Sequence, residues 1–244
     1  MSKTILVCCG TGCLANGSAK VAEEFHRLLD GTGHAVACTV KETGCNGFCE
    51  NGPLVQILPD DITYYKVRVQ DVGEIVDRTV RAGEAVERLL YRNDAGQRVR
   101  SQAENPFYAP QLKIALRNIG RISPVSVEDY RAHGGYRALE KALAMTPGEI
   151  ITEVERSGLR GRGGAGFPTG QKWRTAARYD VFPKYVACNG DEGDPGAFMD
   201  RSILEGDPHS VLEGMAICAL AIGAEEGFLY IRDEYALAVA HIRE

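Results

Sequence analysis

The feature that most constrains this chain is the placement of its cysteines: six of the eight fall within the first 49 of 244 residues. Cys8 and Cys13 form a C-x4-C pair and Cys45 and Cys49 a C-x3-C pair, with glycines at 10, 12, 44 and 47 around them. Glycine-rich loops fold tightly and can turn amide N–H groups toward sulfur. Four thiolates from two such loops suit a [2Fe-2S] centre. Spacing alone leaves two other readings open, a zinc site and cysteines that only pack. The C-x-x-C redox pair and the C-x4-C-x2-C ferredoxin spacing are both absent. Cys9 and Cys38 are expected to pack in the interior, as are Cys188 and Cys218 in apolar surroundings further along.

The residues between the cysteine pairs predict how the loops are carried. Lys3 to Val7 reads as a buried strand and Asn16 to Asp30 as a helix, with Val21, Phe25, Leu28 and Leu29 on one face. His34 to Val40 reads as a second strand. Strand, helix, strand, with a cysteine loop after each strand, describes a small α/β unit laid out like thioredoxin. Pro53 to Leu58 and Tyr64 to Val67 add candidate strands, and Val72 to Leu90 a charged helix. Tyr91 to Pro110 is polar and lacks sustained periodicity, so the linker is expected there. Helical patterns return at Leu112 to Ile119, Ser126 to Ala132 and Tyr136 to Ala144, and Thr146-Pro147 marks a further helix start. The expected division is 1–92, a linker and helical segment over 93–145, and a second α/β domain over 146–244.

Composition narrows the function classes. At 44% hydrophobic, 25% charged and a net charge of −5, the chain is globular and lacks the basic face that nucleic-acid binding requires. The apolar run Ile5 to Val7 is too short for a signal-peptide core or a membrane span, so a cytoplasmic protein without membrane insertion is expected. In a reducing compartment crowded cysteines point to metal rather than to disulfides.

Two segments in the second half carry further chemistry. From Arg156 to Arg178 there are six bases and no acid, interleaved with glycines. Backbone donors and cations there suit a phosphate-bearing cofactor, although neither the Walker spacing nor a clean dinucleotide fingerprint is present, and a flexible surface loop stays open as an alternative. Tyr185 to Cys188 reads as a strand delivering Asn189-Gly-Asp-Glu-Gly-Asp-Pro195 at its C-terminal end, where α/β sheets bind ligands. Six acids and one base lie between Asp191 and Asp207, which suits ribityl or ribose hydroxyls or else a solvated turn.

These strings are recognisable. SGLRGRGGAGFPTGQKW (157–173) and YVACNGDEGDPGAFMDRSILEGDPH (185–209) closely resemble the flavin subunit of respiratory NADH dehydrogenase and its soluble relatives. The resemblance implies that Gly161, Arg162, Gly163, Gly164, Lys172, Asn189, Asp191 and Glu192 cradle FMN. It also implies that Phe167 and Lys172 border the nicotinamide nucleotide, NAD(H) or NADP(H), with Asp194 helping to hold it. Respiratory members usually carry glutamate at that last position, so here the contact is expected to be rearranged or water-mediated. CCGTGCLANGS and TGCNGFCENGP resemble the thioredoxin-like [2Fe-2S] domain, which implies Cys8, Cys13, Cys45 and Cys49 as the cluster ligands.

Fusion of the two resembles the beta subunit of NAD(P)-linked, often electron-bifurcating, [FeFe]-hydrogenases, with formate and respiratory dehydrogenases as alternatives. The implied function is electron transfer between NAD(P)H, FMN and iron-sulfur centres, with other iron-sulfur subunits as partners and no residue acting as nucleophile or general base. His133 and His209 are read as structural. A bare [2Fe-2S] carrier or docking module is the alternative of another class. Members of this family continue past the strand expected at Phe228 to Ile231 into a glutamate-bearing segment, a ubiquitin-like fold and a [4Fe-4S] domain. On that resemblance the chain is expected to be a C-terminally truncated piece, unable by itself to oxidise NADH.

Overall fold

The protein is described by a computed structural model covering residues 2–29 and 37–244. It divides into two compact units, Met1–Ser126 with Glu205–Asp207, and Val127–Leu204 with Pro208–Glu244.

The first unit is built on a four-stranded sheet of order β2-β1-β3-β4, from β1 (Lys3–Cys8), β2 (Cys38–Thr43), β3 (Val55–Leu58) and β4 (Ile62–Tyr64). β1 and β2 run parallel, while β3 is antiparallel to both β1 and β4. Two helices follow β1, a short α1 (Thr11–Ala15) and α2 (Ser18–Leu29). The apolar stripe of α2 closes one sheet face, so that Val21, Ala22 and Phe25 join Ile5, Val7, Val55, Ile57 and Ile62 in the core. Burying such side chains is worth roughly 1.5–3 kcal/mol each. The expected strand at His34 to Val40 is described only from Ala37 onward, and it runs on to Thr43. The expected strand at Tyr64 to Val67 instead ends at Tyr64; Lys66 takes a left-handed φ of 54°, which breaks the extended run.

Two helix expectations fail, each for a physical reason. The stretch from Val72 to Leu90 is not one helix: it is helical through α3 (Val72–Glu74) and a π-helical continuation, Ile75–Arg81, and again only in a 3-10 turn at Glu87–Leu89. Gly83, at φ 75°, ends the continuation, and Val86, Leu89 and Leu90 turn back into the core. Leu112 to Ile119 forms turns instead of a helix. Leu112 and Ile114 are 86% and 71% exposed while Ile119 is buried, so the segment has no continuous buried face to offset the nucleation cost of so short a helix. The polar stretch after Tyr91 folds onto this unit. It starts with a hairpin, β5 (Tyr91–Arg92) and β6 (Arg98–Val99), and goes on to the buried Asn105 and Tyr108.

The second unit opens with α4 (Val127–Ala132), α5 (Arg137–Leu143) and α6 (Pro147–Ser157), the first two at the positions the sequence predicts. Thr146 caps α6 reciprocally: Glu149 N–H donates to its Oγ1, and its own N–H donates to the Glu149 carboxylate at 2.7 Å. Then come α7 (Thr169–Arg178), β7 (Tyr185–Gly190), α8 (Met199–Gly206), α9 (Pro208–Ile222), β8 (Glu226–Ile231) and α10 (Ala236–Arg243). β7 and β8 pair in parallel through α9, the strand–helix–strand arrangement expected of an α/β unit. A core of Ile150, Ile151, Val186, Ala221 and Ile222 joins α6, α9 and β7. Glu213 of α9 is buried here, but it accepts from the Tyr130 hydroxyl and from the N–H groups of Tyr136 and Leu139. His209 stacks on Tyr130 and bonds the Tyr136 hydroxyl. Among the described residues no helix is long and apolar enough to cross a membrane.

Candidate functional site

The cysteine site grows out of the ends of two neighbouring parallel strands. β1 ends in Cys8 and runs through Gly10 into α1, which carries Cys13; β2 runs through Gly44 into the loop of Cys45 and Cys49. Because β1 and β2 are paired in register, Cys8 opposite Thr43, their loops emerge side by side. The loops meet across Gly10: a Cβ there would stand 2.5 Å from Cys45 Cβ and 2.8 Å from its Cα, closer than any side chain allows. At Gly52 an added Cβ would lie 2.5 Å from Cys13 Sγ.

The four sulfurs form a chain of neighbours. The Cys8 thiol donates to Gly44 O at 3.6 Å and is close enough to Cys13 and Cys45 for both to act on its ionisation, and Cys45 Sγ lies 3.3 Å from Cys49 Sγ. The Gly47 N–H donates to Cys45 Sγ at 3.3 Å, the inward amide that the glycine spacing predicts. Cys8 and Cys13 are buried, Cys45 is half-buried and Cys49 exposed. Crowding makes thiolate formation costly: the Cys13 thiol beside it, then burial, pushes Cys8 up to about 11, and Cys45 is pushed up chiefly by Cys8. A cationic group between the sulfurs would remove that cost. Among the described residues no group of three or more His, Cys, Asp or Glu side chains is gathered around a single-ion point.

Cys9 points the other way, into the apolar core beside Val21 and Phe25, where burial first and Glu42 second push its thiol up to about 12. Cys38 packs at the edge of the same core, and Cys218 within that of the second unit.

Aromatic residues roof the cysteine loops. Phe48 stacks on Phe107 with ring centroids 4.3 Å apart, and Tyr65, Tyr91 and Tyr108 complete a cluster that includes Cys8 and Cys13. Asn105 fixes this roof by donating to the Tyr65 hydroxyl at 2.8 Å. The Tyr108 hydroxyl is buried and, among the described residues, has no hydrogen-bond partner; burial first, then Tyr65 and the Cys8, Cys45 and Cys13 thiols, raise its pKa. An orphaned donor beside four thiols fits an acceptor such as a cluster sulfur. Sequence reading passed over Phe107 and Tyr108 because no periodicity marks them; the dense aromatics of NPFYAP were the only signal.

The second site has a different texture. α6 ends at Gly158 in a left-handed turn, and the following loop is pinched where Arg160 pairs with Pro168 and the Gly161 N–H donates to Phe167 O at 2.9 Å. Beyond the pinch, Gly163, Gly164 and Gly166 meet nothing within 4 Å of an added Cβ. Gly164 and Gly166 take φ values of 98° and 59°, which only glycine adopts readily. Phe167 and Lys172 are exposed, at the loop's end and in the first turns of α7.

Asn189 lies at the C-terminal end of β7, its Oδ1 accepting from the Asp191 N–H at 3.0 Å. Asp191 and Asp194 are exposed in the loop. Glu192 is turned inward: its carboxylate accepts from the N–H groups of Met199, Asp200 and Arg201, capping α8, and from the Tyr235 hydroxyl at 3.2 Å. Burial works against ionisation here, but these donors outweigh it and hold the acid below the ordinary glutamate range. Arg232 donates to Glu192 O at 2.7 Å, so Arg232 and Tyr235, neither singled out by the sequence reading, brace the loop.

Comparison with known proteins assigns both halves. Residues 2–80 match the thioredoxin-like [2Fe-2S] ferredoxin family and residues 154–244 the Nuo51 FMN-binding domain. The chain is 58% identical over 134 residues to the NADP-reducing hydrogenase subunit HndC of Solidesulfovibrio fructosivorans, covering 55% of this chain and 27% of that one. It is 34% identical over 203 residues to the alpha subunit of the NAD-reducing hydrogenase HoxS of Cupriavidus necator, covering 80% and 30%. The thioredoxin-like [2Fe-2S] ferredoxin of Aquifex aeolicus is 32% identical over 36% of this chain and 88% of its own, with a TM-score of 0.34. The chain thus spans less than a third of the length of these two hydrogenase relatives. It joins a member of the thioredoxin-like [2Fe-2S] ferredoxin family, at its N-terminus, to a Nuo51 FMN-binding domain.

Proposed function

We propose that this chain belongs to an NAD(P)H-linked electron-transfer subunit of the hydrogenase type, with Cys8, Cys13, Cys45 and Cys49 as ligands of one [2Fe-2S] cluster. The observation that carries the reading is the four-sulfur row, built by two loops that approach only because Gly10 has no side chain. The hydrogenase preference rests on the two domains sharing one chain and on the 58% likeness to a hydrogenase subunit.

FMN, when bound, couples two-electron exchange with a nicotinamide to one-electron exchange with iron-sulfur centres. The protein's part is positioning. Gly161 closes the neck of the loop, and beyond it open amides at Gly163 and Gly164, with Arg162 and Lys172, hold phosphate. Asn189, Asp191 and Asp194 offer acceptors to sugar hydroxyls, and Phe167 offers a ring face to a planar base. Glu192 holds the acidic loop in place by capping α8. Other iron-sulfur subunits of the same complex are the proposed partners.

Anaerobic reconstitution of the chain with iron, sulfide and FMN tests this. One [2Fe-2S] EPR signal per chain on reduction, together with flavin released on denaturation, is the expected result. A cluster without flavin leaves the carrier reading, and no cluster overturns the assignment. Hydrogen-dependent NAD(P) reduction by the native complex purified through this subunit separates a hydrogenase parent from a quinone-reducing one.

A further inference from the structure

The cysteine loops border a second feature, also within the first unit. A cavity of about 510 Å³ opens beside the loop of Cys45, with Asn46 and Tyr108 in its wall. Lys113, Arg117 and Arg121 line it. Asp61 is the one acid in the lining, and the Gln56 amide donates to its carboxylate at 3.2 Å. Among the described residues none of the three cations has an acidic partner in ion-pair range; Arg117 reaches only the Ile114 carbonyl, at 3.4 Å.

The cations are held where they are by backbone. Gly120, at φ 81°, approaches so closely that an added Cβ would stand 2.1 Å from Asn46 Oδ1, which pins the 113–121 segment to the cysteine loop. Lys113 Nζ sits over the Tyr108 ring, 5.3 Å from its centroid. Burial first, and Arg121 second, make its charge harder to keep, while Cys45 and Cys8 act in the opposite direction.

We propose that this cavity is a binding site for a phosphate group, carried by a small phosphomonoester and held by Lys113, Arg117 and Arg121. Three cations against one acid call for a dianion, which a single carboxylate does not supply. Guanidinium forks match phosphate oxygens in pairs, with the lysine as a point charge. The volume exceeds what a bare phosphate needs and lies in the range of small-ligand pockets, roughly 300–1,000 Å³. The amides of Asn46, Gln102 and Gln111 can serve the remainder of the ester. This site shares no residue with the flavin cradle at 161–194, and the binding does not depend on the cysteine reading. Only its consequence does: a dianion beside the cluster favours the oxidised form, and by reciprocity reduction weakens its binding.

The test is calorimetric titration of the 244-residue chain at low salt with inorganic phosphate and with adenosine 5′-monophosphate. Saturable binding is expected, tighter for the ester. Arg117 and Arg121 are exposed, so the double variant Arg117→Gln, Arg121→Gln should fold normally, as its unfolding transition would show, and bind at least about tenfold more weakly, ~1.4 kcal/mol. With the flavin cradle filled by FMN, Lys172→Met should leave this affinity unchanged. Equal affinity for the two probes would support the site and make free phosphate its ligand. Loss of binding in Lys172→Met instead, an unaffected double variant, or no saturable binding of either probe overturns the proposal. Binding of an acidic peptide but of neither probe would also overturn it, in favour of a protein partner.

Discussion

The two candidate sites both depend on glycine, but for opposite reasons. In the cysteine site the space beside Gly10 and Gly52 is already filled by Cys45 Cβ and Cys13 Sγ, each 2.5 Å from where a Cβ would be. In the second site the space beside Gly163, Gly164 and Gly166 is open. A glycine that lets the chain touch itself builds a site before any ligand arrives, whereas one that faces open space reserves room for something the chain does not contain. The first site is therefore coupled to folding, and the second to binding alone.

The largest expected effects test whether the sulfurs act as one set. Cys13→Ala should abolish the reduced-state EPR signal, while Cys9→Ala, whose side chain lies in the core on the other side of the sheet, should leave it nearly intact. A normal signal in Cys13→Ala would remove Cys13 from the ligand set.

The glycine contrast is tested next. Gly10→Ala must push Cys45 and its backbone aside, so it should lose the cluster and lower the unfolding temperature together. Gly163→Val should leave unfolding within ~0.5 kcal/mol of wild type, since its side chain meets nothing, and yet block flavin uptake. Full flavin content in that variant, or an unchanged cluster in Gly10→Ala, would erase the distinction.

Much of this was legible in the sequence, where local chemistry decides structure. The cysteine spacing, the α2 stripe and the Thr146-Pro147 helix start each carry their own signal, and each stands where the sequence placed it. What escaped depends on distant packing. Nothing near Leu112 shows that its apolar residues will find no core, and nothing before Gly83 shows that Val86, Leu89 and Leu90 must fold back. The roof of Phe107 and Tyr108 and the brace of Arg232 and Tyr235 come from residues about 40 or more positions away from the loops they secure. Such pairings leave no period to read.

A smaller effect sharpens the picture of the first site. If the orphaned Tyr108 hydroxyl donates to a cluster sulfur, Tyr108→Phe should keep the cluster but lower its midpoint potential. The shift expected is up to about 60 mV, a tenfold change for a one-electron couple. An unchanged potential, measured by EPR-monitored titration, would show that the hydroxyl does not face the sulfurs.

The smallest effect concerns the second unit before any ligand binds. Glu192 is ionised below the ordinary glutamate range because three backbone N–H groups and Tyr235 donate to it, despite the burial that opposes its charge. A carboxyl whose folded pKa is depressed adds stability that is present above its unfolded pKa and is lost as pH falls through the folded value. Glu192→Gln keeps the shape and one acceptor oxygen but loses the charge at the α8 N-terminus, so it should cost about 1 kcal/mol at neutral pH. The cost should shrink as pH falls through and below the ordinary glutamate range, where the unfolded carboxyl and then the folded one take up a proton. Trp173, the only tryptophan, packs against the core of this unit and reports on its unfolding. Denaturant titrations followed by its fluorescence at pH 7 and in acid give the two differences. A penalty that is the same at both pH values would mean that Glu192 braces the acidic loop by shape alone and that its charge contributes nothing.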